Sequence, residues 1–93
     1  MPLGPYIVTD IDPGKLDIKL YLNGEIKQTS STSNLLFKVP ELVEFISEIM
    51  TLFPGDIILT GTPSGVGPVT PGDLVEVEIQ GLGRLANRVR GKF

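Results

Sequence analysis

Two Pro-Gly-Asp triplets, Pro54-Gly55-Asp56 and Pro71-Gly72-Asp73, each stand directly before an apolar run, Ile57-Ile58-Leu59 and Leu74 to Ile79. Proline presets φ at the second position of a turn and glycine accepts positive φ at the third, so each triplet reverses the chain. Between them, Thr60 to Thr70 is rich in glycine, proline and hydroxyl side chains. Short strands joined by turns are what such punctuation leaves room for. The triplets read as two similar turns and not as a duplicated unit.

The 93 residues fit one domain, 1–93, and a chain of that size buries roughly 60–65% of its unfolded surface. Eight Lys and Arg against eleven Asp and Glu give a net charge of −3, which argues against a nucleic-acid or anionic-membrane partner. With no cysteine and no histidine, the chain holds no disulfide, no Cys-His or Ser-His-Asp arrangement and no His-containing zinc site. No apolar run reaches the roughly 18–20 residues of a membrane span, and Met1-Pro2-Leu3-Gly4-Pro5 lacks signal-peptide character. The reading is a soluble, cytoplasmic protein.

Tyr6 to Thr9 is a short β-favouring run, and its abrupt position suggests that something precedes it. Leu16 to Leu22 alternates with period two, setting Leu16, Ile18, Leu20 and Leu22 on one face and Asp17, Lys19 and Tyr21 on the other. Asn23-Gly24 then predicts a two-residue hairpin turn, because both central positions need positive φ, with Glu25 to Thr29 as the returning strand. Ser33 or Asn34 is placed to cap a short turn through Leu35-Leu36-Phe37. Leu42, Phe45, Ile46, Ile49 and Met50 recur at helical spacing with Glu41, Glu44, Ser47 and Glu48 opposite, predicting an amphipathic helix over about 40–52 with Pro40 in its first turn. Ile57 to Leu59 reads as a buried strand. Leu74 to Gln80 reads as another, with Val75, Val77 and Ile79 inward, and after Gly81-Leu82-Gly83 the chain returns through Arg84 to Arg90. That loop would set Glu76 opposite Arg88.

The stretch Gly61-Thr62-Pro63-Ser64-Gly65-Val66-Gly67 has the composition of a ligand-binding loop: small residues admit an anion to the backbone N–H groups, and Thr60, Thr62 and Ser64 add hydroxyl donors. It lacks the Gly-Lys-Ser/Thr ending of a phosphate loop and matches neither Gly-x-Ser-x-Gly nor Gly-x-Gly-x-x-Gly. From composition alone, a plain tight connection explains it equally well.

Thr60-Gly61-Thr62-Pro63-Ser64-Gly65, with Gly4-Pro5 before a strand ending in Thr9, the Asn23-Gly24 hairpin, Thr32-Ser33-Asn34 and Gly81-Leu82-Gly83-Arg84-Leu85-Ala86-Asn87, resembles the C-terminal segment of the fumarylacetoacetate hydrolase family. The likeness is greatest to its small bacterial and archaeal branch of acylpyruvases, oxaloacetate decarboxylases and 2-hydroxyhepta-2,4-diene-1,7-dioate isomerases. The resemblance implies an α+β, β-rich fold, a mixed β-roll with one main helix, incomplete relative to the family. It implies Thr62, helped by the Gly61 N–H, as the group that holds substrate oxygens of a 2-oxo acid or enol dicarboxylate. For a complete enzyme it implies Mg²⁺ or Mn²⁺ and C–C hydrolysis, decarboxylation or isomerisation, as part of aromatic catabolism. The family's Glu-x-Glu and Asp metal ligands, His-Glu dyad and Lys all precede the Gly-Pro strand, so no catalytic or metal residue is assigned here and the chain alone is expected to be inactive. A homodimer or a complementing N-terminal segment is the expected partner. The alternative is a short non-catalytic module that dimerises or complements a partner chain.

Glu76-x-Glu78 copies the metal-ligand spacing, yet strand alternation reads it as an outward polar face. Asp10 and Asp12 read as turn chemistry, Lys15 and Lys19 as an exposed solubilising face, and Arg84, Arg88 and Arg90 as the charged protection of an edge strand.

Overall fold

The computed structural model describes residues 2–91. Four strands, β1 (Asp17–Leu22), β2 (Glu25–Ser31), β3 (Leu74–Ile79) and β4 (Gly83–Arg88), form one antiparallel sheet in the order β2-β1-β3-β4. A 3₁₀ turn (Thr32–Asn34) and one helix, α1 (Val39–Ile49), lie between β2 and β3. The α+β, β-rich expectation holds.

The β1–β2 hairpin turns at Asn23 (φ 51°) and Gly24 (φ 84°), with Leu22 paired to Glu25. Positive φ at both positions is what Asn-Gly supplies at low cost. Asn23 also ties the turn to β3: its Oδ1 accepts from the Leu74 N–H at 2.8 Å and its Nδ2 donates to Asp73 at 3.0 Å. β2 runs two residues further than the period-two pattern predicts, and it carries a β-bulge. Leu20 pairs with Gln28 but Tyr21 pairs with Ile26, so Lys27 is the extra residue.

Cross-strand pairing sorts the faces. Ile18 faces Ile79, Leu20 faces Val77, Leu22 faces Val75 and Val77 faces Leu85, giving one apolar face. Leu16, 8% exposed, is the buried apolar side chain among the described residues. It is clasped by Thr32, whose Oγ1 accepts from the Leu16 N–H and whose N–H donates to the Leu16 carbonyl, at 2.9 and 2.8 Å.

The other face carries Tyr21, Glu76, Glu78 and Arg84. Arg84 donates to Glu76 and Glu78 at 3.3 Å each, its guanidinium lies 4.4 Å from the centre of the Tyr21 ring, and the Tyr21 hydroxyl donates to Glu78 at 3.1 Å. Desolvation pulls the Arg84 pKa down, but the hydrogen bonds and charges of Glu76 and Glu78 outweigh it and hold it above its ordinary value. This corrects the expected Glu76–Arg88 pairing. The loop is Gln80-Gly81-Leu82, so Ile79 pairs with Gly83, Glu76 faces Ala86, and Leu74 faces Arg88. Arg88 instead donates to the Gly72 carbonyl at 3.0 Å. Gly83 is where Pro5 and Tyr6 cross: a Cβ there would lie 3.2 Å from Pro5 and 3.4 Å from Tyr6. We expect Arg84→Gln to lower the melting temperature by several degrees more than Arg88→Gln; equal losses in thermal denaturation would reject this register.

Two expected strands are absent. Tyr6–Thr9 and Ile57–Leu59 have extended sequences but no ladder partner among the described residues, and Ile7 and Leu59 are 94% and 76% exposed. The expected cap at Ser33 or Asn34 also moves. The turn is Thr32–Asn34 and Ser31 caps it, its Oγ accepting from the Ser33 N–H at 3.2 Å.

Helix α1 opens with Pro40 in its first turn and no side-chain cap at Lys38, whose ammonium instead donates to the Ser33 and Leu35 carbonyls. It ends where Met50 turns extended, three residues short of the end implied by periodicity. Phe45 and Ile49 on its apolar side are 62% and 69% exposed. The Cα radius of gyration is 14.8 Å, against about 12 Å for a closed domain of this length. No helix among the described residues is long and apolar enough to cross a membrane.

Candidate functional site

The two Pro-Gly-Asp triplets form the same turn. Gly55 and Gly72 sit at φ 95° and 93°. The Asp56 carboxylate accepts from the Phe53 N–H and the Asp73 carboxylate from the Thr70 N–H, both at 2.8 Å. The reciprocal backbone bonds, Asp56 N–H to Phe53 carbonyl and Asp73 N–H to Thr70 carbonyl, are 3.0 and 3.1 Å. The Thr70 N–H and then the Asn23 amide hold the Asp73 carboxyl below the usual carboxylate range. These turns fix both ends of the glycine-rich loop.

The middle of the loop is seated on β2. Gln28, 7% exposed, donates through Nε2 to Thr62 Oγ1 at 2.8 Å and to the Pro63 carbonyl at 2.7 Å. Because a carbonyl can only accept, the Pro63 contact fixes which end of the Gln28 amide is the donor. Gly65, at φ 104°, lies against the bulge, where an added Cβ would overlap the Lys27 carbonyl oxygen. The bulged residue and the buried amide thus form a cradle for the loop.

Thr60, Gly61, Thr62 and Ser64, together with Ser30 and Asn34, line a cleft of about 420 Å³. Thr62 itself is solvent-exposed, and Gly61 takes φ 98°, a region that other residues enter at a cost. The sequence-predicted pair Thr62 and Gly61 therefore comes to one cleft. Gln28 was not foreseen, because in a strand of polar residues nothing local distinguishes it; only the non-local contact with Pro63 does.

The remaining candidates lie elsewhere. Glu76 and Glu78 clamp Arg84 on the far face of the sheet. Asp12 accepts from the Gly14 N–H at 2.9 Å, as turn chemistry requires. Arg84 and Arg88 are committed to separate partners. No group of three or more Asp or Glu among the described residues is disposed to hold a metal ion.

Residues 1–90 match the family model described as fumarylacetoacetate (FAA) hydrolase C-terminal. The chain belongs to the fumarylacetoacetate hydrolase family. An uncharacterized protein of Methanocaldococcus jannaschii is 61% identical over 89 residues, covering 96% of this chain and 38% of the relative. The crystal structure of a 5-carboxymethyl-2-hydroxymuconate delta-isomerase from Mycobacterium smegmatis superposes with a TM-score of 0.95 at 52% identity, covering 98% of this chain and 36% of that one. Maleylpyruvate hydrolase from Sphingobium sp. SYK-6, in complex with manganese(II) and pyruvate, matches with a TM-score of 0.89 at 43% identity, over 96% of this chain and 35% of the other. The chain thus spans little more than a third of the length of these fumarylacetoacetate hydrolase relatives.

Proposed function

We propose that residues 1–93 are the substrate-facing C-terminal part of an enzyme that acts on 2-oxo acids or enol dicarboxylates by C–C hydrolysis, decarboxylation or isomerisation. The observation that carries this is the cleft lined by Thr62 and Gly61, with Thr62 and the next residue, Pro63, held by the Gln28 amide. In it Thr62 donates to a substrate oxygen and the Gly61 N–H supplies a second donor. A relative with a 2-oxo acid and manganese bound supports the substrate class. The described residues do not fit a divalent metal, since Glu76 and Glu78 are occupied by Arg84 and Tyr21. On this reading the metal ligands and the general base come from outside this chain, and residues 1–93 alone are inactive. In a full-length protein assayed with Mg²⁺ or Mn²⁺ on oxaloacetate, an acylpyruvate and 2-hydroxyhepta-2,4-diene-1,7-dioate, Thr62→Val lowers kcat/KM at least tenfold for the substrate turned over. An unchanged kcat/KM in a folded Thr62→Val protein rejects the assignment.

A second reading, a non-catalytic module that dimerises or complements a partner chain, is favoured by the apolar exposure around α1. Leu36 is 88% exposed and Phe37 59%, beside Phe45 and Ile49, and exposed apolar patches favour association. Sedimentation of residues 1–93 that gives a monomer at every concentration would count against it.

A further inference from the structure

We propose that Gln28 is a positioning residue, fixing the Thr62 hydroxyl as a donor to a ligand carboxylate; this rests on the reading of Thr62 as a substrate-binding group. A threonine hydroxyl has one proton and accepts through two lone pairs, and its hydrogen rotates to suit its surroundings. Gln28 Nε2 has two hydrogens. The Pro63 carbonyl takes one at 2.7 Å and Thr62 Oγ1 takes the other at 2.8 Å. An oxygen that accepts from Gln28 cannot send its own proton toward Gln28, so that proton is directed away from β2.

Gln28 is 7% exposed, so solvent competes little for its amide hydrogens, and the Gly65 backbone lies close against the neighbouring Lys27 carbonyl. A loop hydroxyl in water is equally ready to donate or accept. Here one of the two lone pairs is taken before any ligand arrives, and a carboxylate, which only accepts when ionised, meets a proton already turned outward. Strand, bulge and loop thus orient a proton that Thr62 alone would leave free to rotate.

The test uses the full-length protein with Mn²⁺ and pyruvate as probe, reading the pyruvate Kd by titration calorimetry. Thr62→Val is expected to raise the Kd about tenfold or more, the size of a lost hydrogen bond to a charged group. Gln28→Glu replaces the donor with an acceptor at constant shape, draws the Thr62 proton back toward β2, and is expected to weaken pyruvate by a similar factor near neutral pH. Its affinity recovers toward wild type as pH falls and the new carboxyl regains a proton to donate. Gln28→Glu adds no further loss on top of Thr62→Val. Should Gln28→Glu fail to fold, Gln28→Met carries the test: it frees the hydroxyl to rotate, weakening pyruvate several-fold with no recovery at low pH. Loss in Thr62→Val with wild-type affinity in a folded Gln28→Glu, or additive losses in the double variant, overturns the role of Gln28. An unchanged Kd in Thr62→Val overturns the substrate-binding reading itself.

Discussion

Gly65→Ala is expected to destabilise the protein by about 1–3 kcal/mol, the range for forcing an extra group into an occupied space. The new methyl has three objections to meet. It would overlap the Lys27 carbonyl oxygen, lie 3.1 Å from the Gln28 Cγ, and sit on a residue at φ 104°. The nearest obstacle is backbone in a bulged strand and not the tip of a flexible side chain, so relief requires either the loop or β2 to move. If the loop lifts, the bonds from Gln28 to Thr62 and Pro63 break, and amide exchange accelerates at the loop residues from Thr62 to Gly67 while β1 and β3 stay protected. If β2 yields instead, the whole sheet loses stability, and a domain of this size loses roughly 4–8 °C in melting temperature per kcal/mol. Gly67, whose Cβ would meet nothing within 4 Å, is the control: Gly67→Ala leaves the melting temperature within a degree or two. Equal behaviour of the two variants would refute the seat at Lys27.

Leu16→Ala is expected to cost about 2–3 kcal/mol, the lower part of the range for buried Leu to Ala. Two things set that position. Leu16 is 8% exposed, so nearly all of its side-chain burial is lost. Yet the apolar side chains of the sheet, Ile18, Leu20 and those of β3, are only half-buried, so a loosely packed core of this kind can collapse and leave little residual cavity. The backbone clasp between Leu16 and Thr32 does not depend on the side chain, so the β1–β2 register should persist in the variant. Denaturant unfolding of Leu16→Ala and Ile18→Ala checks the ranking, with Leu16 the more costly. A larger loss at Ile18 would mean that the centre of the core lies elsewhere.

What the sequence discloses about this fold divides by range. The Asn23-Gly24 turn, the Pro40 helix start and the two Pro-Gly-Asp turns are each specified within four residues, and each forms as read. The runs Tyr6–Thr9 and Ile57–Leu59 are apolar enough for strands, but apolarity announces a need for burial without supplying a partner; within residues 2–91 none pairs with them. The β3–β4 turn falls one residue early because Gly81 and Gly83 both adopt positive φ, 80° and 85°, and two permissive positions leave the frame undecided until Pro5 and Tyr6 close on Gly83. The bulge at Lys27 has no local signature at all. Family resemblance singles out Thr62 and Gly61, which share a cleft, whereas Gln28 joins them only through a contact thirty-four residues away in sequence.

The twin turns at Phe53–Asp56 and Thr70–Asp73 have one more implication. Each closes its reciprocal pair of bonds within its own four residues, so the two gateposts of the glycine-rich segment do not depend on what hangs between them. Inside that frame, the contacts described at Gln28 and Lys27 dictate the identity of Gly65, while Thr60 and Ser64 line the cleft without a described contact to β2. Such a segment behaves as an exchangeable cassette. Its lining could drift, or be swapped for another of the same span, without the supporting strands being rebuilt.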